Sequence, residues 1–161
     1  MITVQRSFSV GIPLEDLVAY LADFGHAQDW DPGTVRCVRI DEGPVRPGAT
    51  WHNTSRFRGR TTNLVYVLES RETHRLVFAG ANKTVAARDI MKFEPRSATE
   101  TLLTYTASLR FKGLARVAEP FLRSEFEALA DKVAERLPIA AETHTKQSPE
   151  DPFGGGSHGY P

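Results

Sequence analysis

Two adjoining stretches decide the fold, TETLLTYTASLRF at residues 99–111 and LARVAEPFLRSEFEALADKVAERL at residues 114–137. In the first stretch apolar and polar residues alternate, which is the period of a strand with one buried face. In the second, apolar residues recur at helical spacing and form one stripe. Because the stripe must be buried against another layer, we expect the helix to pack on the apolar face of a sheet. The stripe consists of Leu114, Val117, Phe121, Leu122, Leu129, Val133 and Leu137.

Pro120 lies within this helical pattern. Proline removes a backbone donor and clashes with the preceding turn, so its position predicts a kink or a break between two helical segments.

The same strand alternation continues toward the N-terminus. Residues 2–10 form one predicted strand, and Pro13 then suits the first position of a short helix. Turn signals such as Glu42-Gly43-Pro44 separate further strands, and short connections make consecutive strands antiparallel neighbours. These strands are predicted at 34–42, 49–58, 61–71, 75–81, 84–94 and 99–111.

The segment FGHAQDWDP, residues 24–32, combines a histidine, two aspartates and a tryptophan. We interpret it as a second short helix that leads into the second strand, with Trp30 packed inside and His26 exposed. Pro32 disfavours helical geometry at Asp31 and so ends the helix, while the Asp31 side chain can bond nearby backbone. A role in gating a cavity is the alternative interpretation.

Residues 139–161 are rich in glycine, proline and polar residues and predict a flexible tail that follows a domain at 1–138. Gly154, Gly156 and Gly159 have the GxGxxG spacing. The dinucleotide-binding interpretation requires a strand before the motif and a helix after it, and neither is predicted there.

Composition excludes several functions. Twenty basic residues balance twenty acidic ones, so no overall charge favours nucleic acid. The sequence predicts no stable membrane insertion, because no apolar run approaches the roughly 18 residues that a span requires. Cys37, the single cysteine, fits a reducing compartment, and with no signal-peptide pattern we expect a cytoplasmic protein. Metal-ligand and cofactor motifs are absent, so neither a metal nor a cofactor is expected.

Several short stretches resemble those of one superfamily: IPLEDLV at 12–18, LAD at 21–23, WDP at 30–32 and VRPGATW at 45–51. Together with the closing helix, they make residues 1–138 resemble the START and polyketide cyclase/dehydrase superfamily. That resemblance implies an α+β helix-grip fold. A curved, seven-stranded antiparallel sheet wraps around a long C-terminal helix, with two short helices between strands 1 and 2. It also implies a cavity for a hydrophobic small molecule, such as a lipid or a polyketide, between the sheet and the helix.

Two charged residues occupy faces that are otherwise apolar. Arg6 shares its face with Val4 and Phe8, and Asp89 shares its face with Ala87 and Met91. A buried charge is costly without a partner, so each of the two residues is expected to have one. The long Arg6 side chain could reach Asp89 across the 99–111 strand and pair with it. The pair could anchor a ligand or act as acid and base, or it could be a structural ion pair.

Other inward positions could contact a ligand. Asn53, Tyr66 and Tyr105 combine inward parity with hydrogen-bonding capacity, although the tyrosines could equally be core aromatics. Tyr105 is also a candidate catalytic residue beside Arg6 and Asp89. The candidate apolar wall consists of Trp51, Phe57, Phe78, Met91 and Phe121.

Three function classes remain open from the sequence. The first is a protein that binds a hydrophobic small molecule, lipid or polyketide-like. The second is an aromatase/cyclase or dehydratase that uses inward polar residues as acid and base. The third is an interaction module that senses a ligand. Since neither a nucleophile–base pair nor a redox motif is present, the sequence favours binding over catalysis by a modest margin.

Overall fold

The computed structural model describes residues 1–148 and confirms the helix-grip fold. One curved antiparallel sheet contains all seven strands, and the long C-terminal helix packs against it. Short 3₁₀ turns at Phe24–His26 and Gly113–Ala118 precede the second and third helices. The strands are β1 (Ile2–Val10), β2 (Thr34–Arg39), β3 (Thr50–Phe57), β4 (Arg60–Glu72), β5 (Arg75–Ala81), β6 (Val85–Ser97) and β7 (Glu100–Phe111), and the helices are α1 (Leu14–Ala22), α2 (Ala27–Trp30) and α3 (Glu119–Gln147).

The strand order across the sheet is β1-β7-β6-β5-β4-β3-β2. Consecutive strands from β2 to β7 are neighbours, as their short connections predict, and β1 closes the order beside β7. The order therefore places β1 and β6 on either side of β7, which brings Arg6 and Asp89 onto strands that flank one neighbour.

Tight turns and bulges shape the sheet. Arg58 and Gly59 both have positive φ, 51° and 73°, which is the geometry of a two-residue hairpin between β3 and β4. The register shifts between Thr34 and Arg36, between Leu68 and Ser70, and between Pro95 and Ser97. Such bulges bend a strand and increase its twist, which is consistent with the curvature of the sheet.

The break predicted at Pro120 is confirmed, because the 3₁₀ turn ends at Ala118 and α3 begins at Glu119 with the proline in its first turn. Three of the seven stripe residues, Leu122, Val133 and Leu137, are buried, and Leu129 is half-buried. The prediction was wrong for Leu114, Val117 and Phe121, which are exposed. The first two belong to the 3₁₀ turn, whose period differs from that of the helix, and Phe121 lies about 100° around α3 from Leu122.

The predicted boundary at residue 138 does not coincide with the end of α3. The helix continues through Pro138 to Gln147, and Ala141 on this extension is fully buried. Glu142 on the extension accepts a hydrogen bond from the Gly11 backbone N–H at 2.7 Å. Tertiary contacts thus stabilise turns whose composition alone predicted a tail. The rest of the predicted tail, with its GxGxxG spacing, lies outside the described residues.

The segment at residues 24–32 is mostly architectural. Trp30 is buried, as predicted, and meets the Tyr105 ring edge-on at 5.8 Å between centroids. His26 is half-buried rather than exposed, because its ring stacks on Tyr20 at 4.3 Å and its Nδ1 lies 2.7 Å from the Tyr20 carbonyl oxygen.

Within residues 1–148, none of the helices combines the length and the apolar character that a membrane crossing requires.

Candidate functional site

The inward face of the sheet has two differently packed ends. At one end, which we call the closed end, α1, α2 and the second half of α3 cover Leu68, Leu76, Phe78, Met91 and Leu103, all of which are fully buried. At the other end, which we call the cavity end, the first half of α3 is the one helical segment within residues 1–148 that faces the sheet. A cavity of ≈ 210 Å³ lies there between β1, β3, β4, β6, β7 and α3.

The cavity exists because small side chains meet a single covering helix. Ala87 on β6 and Ala107 on β7 occupy inward positions in its wall, and the sheet places Gly80 beside Ala87. From α3, Leu122, Leu129 and Val133 form the opposite wall. Interiors are normally packed without voids of this size, so a space that neither layer fills is the default candidate for a ligand site.

Asp89 is the most unusual group in the cavity wall. It is 6% exposed, on a face that is otherwise apolar. Burial raises the pKa of its carboxyl to about 7, the nearby Asp31 charge adds to the increase, and a hydrogen bond from the Tyr105 hydroxyl opposes it. A carboxyl group with this pKa exchanges its proton near neutral pH, so it can act either as a donor or as an acceptor toward a ligand.

Asp31 reaches the same cavity from the loop after α2. Its carboxylate accepts hydrogen bonds from the Gly33 backbone N–H at 2.9 Å and from the Thr34 hydroxyl at 2.8 Å. Burial raises the pKa of Asp31, whereas these two donors and the Arg136 charge lower it. The sequence correctly predicted a turn residue at this position. The sequence did not predict that Asp31 also lines the cavity, because a local pattern cannot show which loop borders the cavity.

Tyr66 and Tyr105 add two phenols to the polar part of the wall. Burial, followed by the charge of Asp89, raises the pKa of both phenols well above the usual value, so both are neutral donors at ordinary pH. Gly80 sets the position of the Tyr66 ring, because a Cβ at residue 80 would lie only 2.6 Å from the nearest ring carbon. The two residues are cross-strand partners, so the ring lies directly over glycine backbone.

The predicted pairing of Arg6 with Asp89 is wrong. The Arg6 guanidinium instead donates to Glu127 and Asp131 on α3, at 2.8 Å in each case. The register explains the difference: the partner of Arg6 on β7 is Tyr105, whereas the β7 partner of Asp89 is Ala107, two residues away. Arg6 thus connects β1 to α3 and does not pair with the Asp89 carboxyl.

The other predicted site residues separate into two groups. Phe57, Tyr66, Asp89 and Tyr105 line the cavity, whereas Trp51, Asn53, Phe78 and Met91 are buried outside its lining. Asn53 is satisfied within the protein, since it donates to Thr34 at 3.1 Å and accepts from Ser55 at 2.6 Å. Inward parity was therefore correct, but it does not distinguish the closed end from the cavity end. Phe121, which is 73% exposed, does not belong to the wall, for the helical reason given above.

The rim of the cavity joins the β3–β4 hairpin to α3. The Phe57 ring stacks on Phe126 with 5.0 Å between centroids, and Arg58 forms an ion pair with Glu125. Arg56 is exposed and borders the cavity. The hairpin is thus held to the helix at the edge of the site.

The donors around the cavity do not suit a metal ion. Among residues 1–148, no three side chains of His, Cys, Asp or Glu are grouped in a way that could hold one. Cys37 is buried, and burial raises the pKa of its thiol to about 11, which disfavours a thiolate.

A curved sheet that grips a helix over a partly polar cavity defines a helix-grip protein. The profile of the family described as "Polyketide cyclase / dehydrase and lipid transport" matches residues 1–138, so the chain belongs to that family. Among proteins with curated descriptions, none matches the chain.

Several solved structures share the fold at low sequence identity. A protein from Thermus thermophilus has a TM-score of 0.74 and 10% identity, covering 89% of this chain and 99% of its own. A START superfamily protein from Mycobacterium smegmatis has a TM-score of 0.68 and 17% identity, covering 90% and 97%. The Zhui aromatase/cyclase from a Streptomyces species has a TM-score of 0.68 and 14% identity, covering 89% and 93%. At these identities the likeness concerns the fold alone.

Proposed function

We propose that this protein binds a compact hydrophobic small molecule in the cavity between the sheet and α3. The observation that carries the proposal is the ≈ 210 Å³ space, whose lining is mostly apolar but includes Asp31, Tyr66, Asp89 and Tyr105. A cavity of about 150 Å³ is large enough for benzene, so this one suits a molecule of one or two rings or a short chain better than a two-chain lipid.

Filling the cavity tests the proposal. Ala87 lines the cavity, whereas its neighbour Ala86 lies on the opposite face of β6. We expect Ala87→Phe to abolish binding of the neutral two-ring probe naphthalene, measured by calorimetry, and Ala86→Phe to preserve it. Native mass spectrometry of freshly purified wild-type protein would show whether a hydrophobic molecule co-purifies. If both variants fold and bind the probe equally well, this cavity is not the binding site.

One observation favours a second candidate, an aromatase/cyclase or dehydratase. The Asp89 carboxyl, with a pKa of about 7, lies beside the Tyr105 hydroxyl in a desolvated cavity, which suits general acid–base catalysis near neutral pH. The Asp89 carboxylate would remove a proton from a carbon between two carbonyl groups. The resulting carbanion would attack another carbonyl of the same chain, and the new alkoxide would take a proton from the protonated carboxyl.

The two candidates separate with a poly-β-keto thioester as substrate. Catalysis predicts that product forms faster than in a protein-free control, with a rate that depends on pH around 7 and falls in Asp89→Asn. A rate equal to the control, with a bound and unchanged thioester, would support binding and exclude cyclase activity on that substrate.

A further inference from the structure

The polar part of the cavity wall includes the neutral hydroxyls of Ser55 and Thr62, and its titratable groups are mainly acidic. Asp31 comes from the loop after α2 and Asp89 from β6, and the phenols of Tyr66 and Tyr105 lie close enough for their titration to be coupled to these carboxyls. Among the described residues of the lining, Arg56 is the one basic side chain, and it is exposed. A ligand that reaches this wall thus meets carboxyl and phenol oxygens with no buried cation.

The two carboxyl groups are not equivalent. Asp31 accepts hydrogen bonds from Gly33 and Thr34, whereas the nearby Tyr105 hydroxyl lowers the pKa of the Asp89 carboxyl. A carboxylate offers about four acceptor positions, so Asp89 retains capacity for a donor that enters the cavity. Arg6, which could have neutralised this carboxyl, is bound to Glu127 and Asp131 instead.

We infer that the ligand presents a hydrogen-bond donor, a hydroxyl or an ammonium group, to Asp89, and that molecules ending in a carboxylate are excluded. The inference rests on the proposed function and specifies its ligand class. A donor head satisfies the spare acceptor positions of Asp89 while the apolar body contacts Ala87, Ala107 and α3. A carboxylate head would place a third carboxyl group beside two others in a space without a buried cation, and like charges held this close disfavour ionisation.

The protonation of Asp89 then selects between the two donors. Asp31, Tyr66 and Tyr105 are the titratable groups that act on it, and Arg136 acts on Asp31. Above pH 7 the ionised carboxylate forms a charge-assisted hydrogen bond with an ammonium. Below pH 7 the neutral carboxyl favours a hydroxyl, which can both donate and accept.

Four probes with the same ring system test the inference on the full chain: naphthalene, 2-naphthylmethanol, 2-naphthylmethylamine and 2-naphthoate. Affinities are measured by calorimetry at pH 5.5 and pH 8. At pH 8 we expect the amine to bind about tenfold or more tightly than naphthalene, which corresponds to one charge-assisted hydrogen bond. We expect 2-naphthoate to bind at least about tenfold more weakly than the alcohol. The advantage of the amine over the alcohol should shrink at pH 5.5.

The Asp89→Asn variant tests whether Asp89 causes the preference for the amine. Asp16→Asn, a change at an exposed position on α1, is the matched control. The Asp89→Asn variant should lose the preference for the amine at pH 8 and keep its affinity for the alcohol. The control should bind all four probes as the wild type does. An amine preference that survives in Asp89→Asn would overturn the assignment.

The wild-type series is decisive even if a variant does not fold. Binding of 2-naphthoate as tight as that of the alcohol would overturn the donor inference and leave the cavity as a binding site. If none of the four probes bound, naphthalene included, the proposed function would fail as well.

Discussion

The closed end and the cavity end share one sheet and one helix, yet they are packed differently. At the closed end, α1, the 3₁₀ turn after it and α2 bring Leu17, Leu21, Phe24 and Trp30 onto the sheet, and these large side chains cover it. At the cavity end, no such helices intervene, and alanines face α3 across an open space. A cavity therefore forms where a single helix covers the sheet and the facing strands carry small side chains. No special sequence motif is needed for it. Residues at the closed end should therefore govern stability and those at the cavity end ligand affinity.

Truncating leucines along α3 gives the largest expected contrast. Leu137 is fully buried at the closed end, whereas Leu129 is half-buried and already borders the cavity. We expect Leu137→Ala to lower the free energy of unfolding by about 2–5 kcal/mol, because it creates a new void. Leu129→Ala should cost about 1 kcal/mol, since less apolar surface is lost. Urea unfolding measures both, and equal losses would show that the two ends are packed alike.

Removing the buried charge of Asp89 gives the next largest effect on the free energy of unfolding. The size of this effect depends on pH. The pKa of Asp89 is about 7 in the folded protein, compared with about 3.9 for an unfolded chain. The folded state therefore holds a proton that the unfolded state releases, so this group lowers stability as pH rises from about 4 to about 7. The loss is of the order of 4 kcal/mol and is nearly complete at about pH 8.

Asp89→Asn should abolish this loss. The difference in unfolding free energy between Asp89→Asn and wild type should then shift in favour of the variant between pH 5 and pH 8. Asp16→Asn, on the exposed face of α1, is the control and should follow the wild-type pH dependence. A constant difference across this range would mean that Asp89 is not a raised-pKa group.

Gly80→Ala tests how the cavity end is shaped. The added methyl would lie 2.6 to 2.8 Å from three atoms of the Tyr66 ring, so the ring must move. Overpacking of this kind costs about 1–3 kcal/mol in unfolding free energy, and the displaced ring should also change ligand affinity. In a double-mutant cycle with Tyr66→Ala, the cost of Gly80→Ala should largely disappear, because the clash is removed. Additive effects in the cycle would contradict the proposed contact.

Arg6→Met should have the smallest effect. Its two ion pairs to α3 involve partly exposed side chains, with Glu127 and Asp131 at 40% and 65% exposure. Pairs of this kind contribute about 0–1 kcal/mol each and weaken in salt. We expect the free energy of unfolding in urea to decrease by at most about 1 kcal/mol, with unchanged affinity for naphthalene. A large loss of affinity would instead place Arg6 at the ligand.

The sequence by itself determined the periodic elements. Three local signals are alternation along the strands, the turn signals between them, and the proline in the first turn of α3. They predicted the sheet, its antiparallel order and the helix break. Parity also predicted that Tyr66, Asp89 and Tyr105 face inward. These features depend on neighbours within a few residues, which is the range over which a sequence pattern carries information.

Only the tertiary structure decided which inward residues surround the cavity. Residue parity is the same for Met91, packed at the closed end, and for Asp89, two positions away in the cavity wall. Register placed Arg6 against α3 instead of beside Asp89, and a loop brought Asp31 to the cavity from far away in the chain. The extension of α3 to Gln147 likewise depends on contacts such as that between Gly11 and Glu142. Each outcome depends on the packing of elements distant in sequence, which no local pattern encodes.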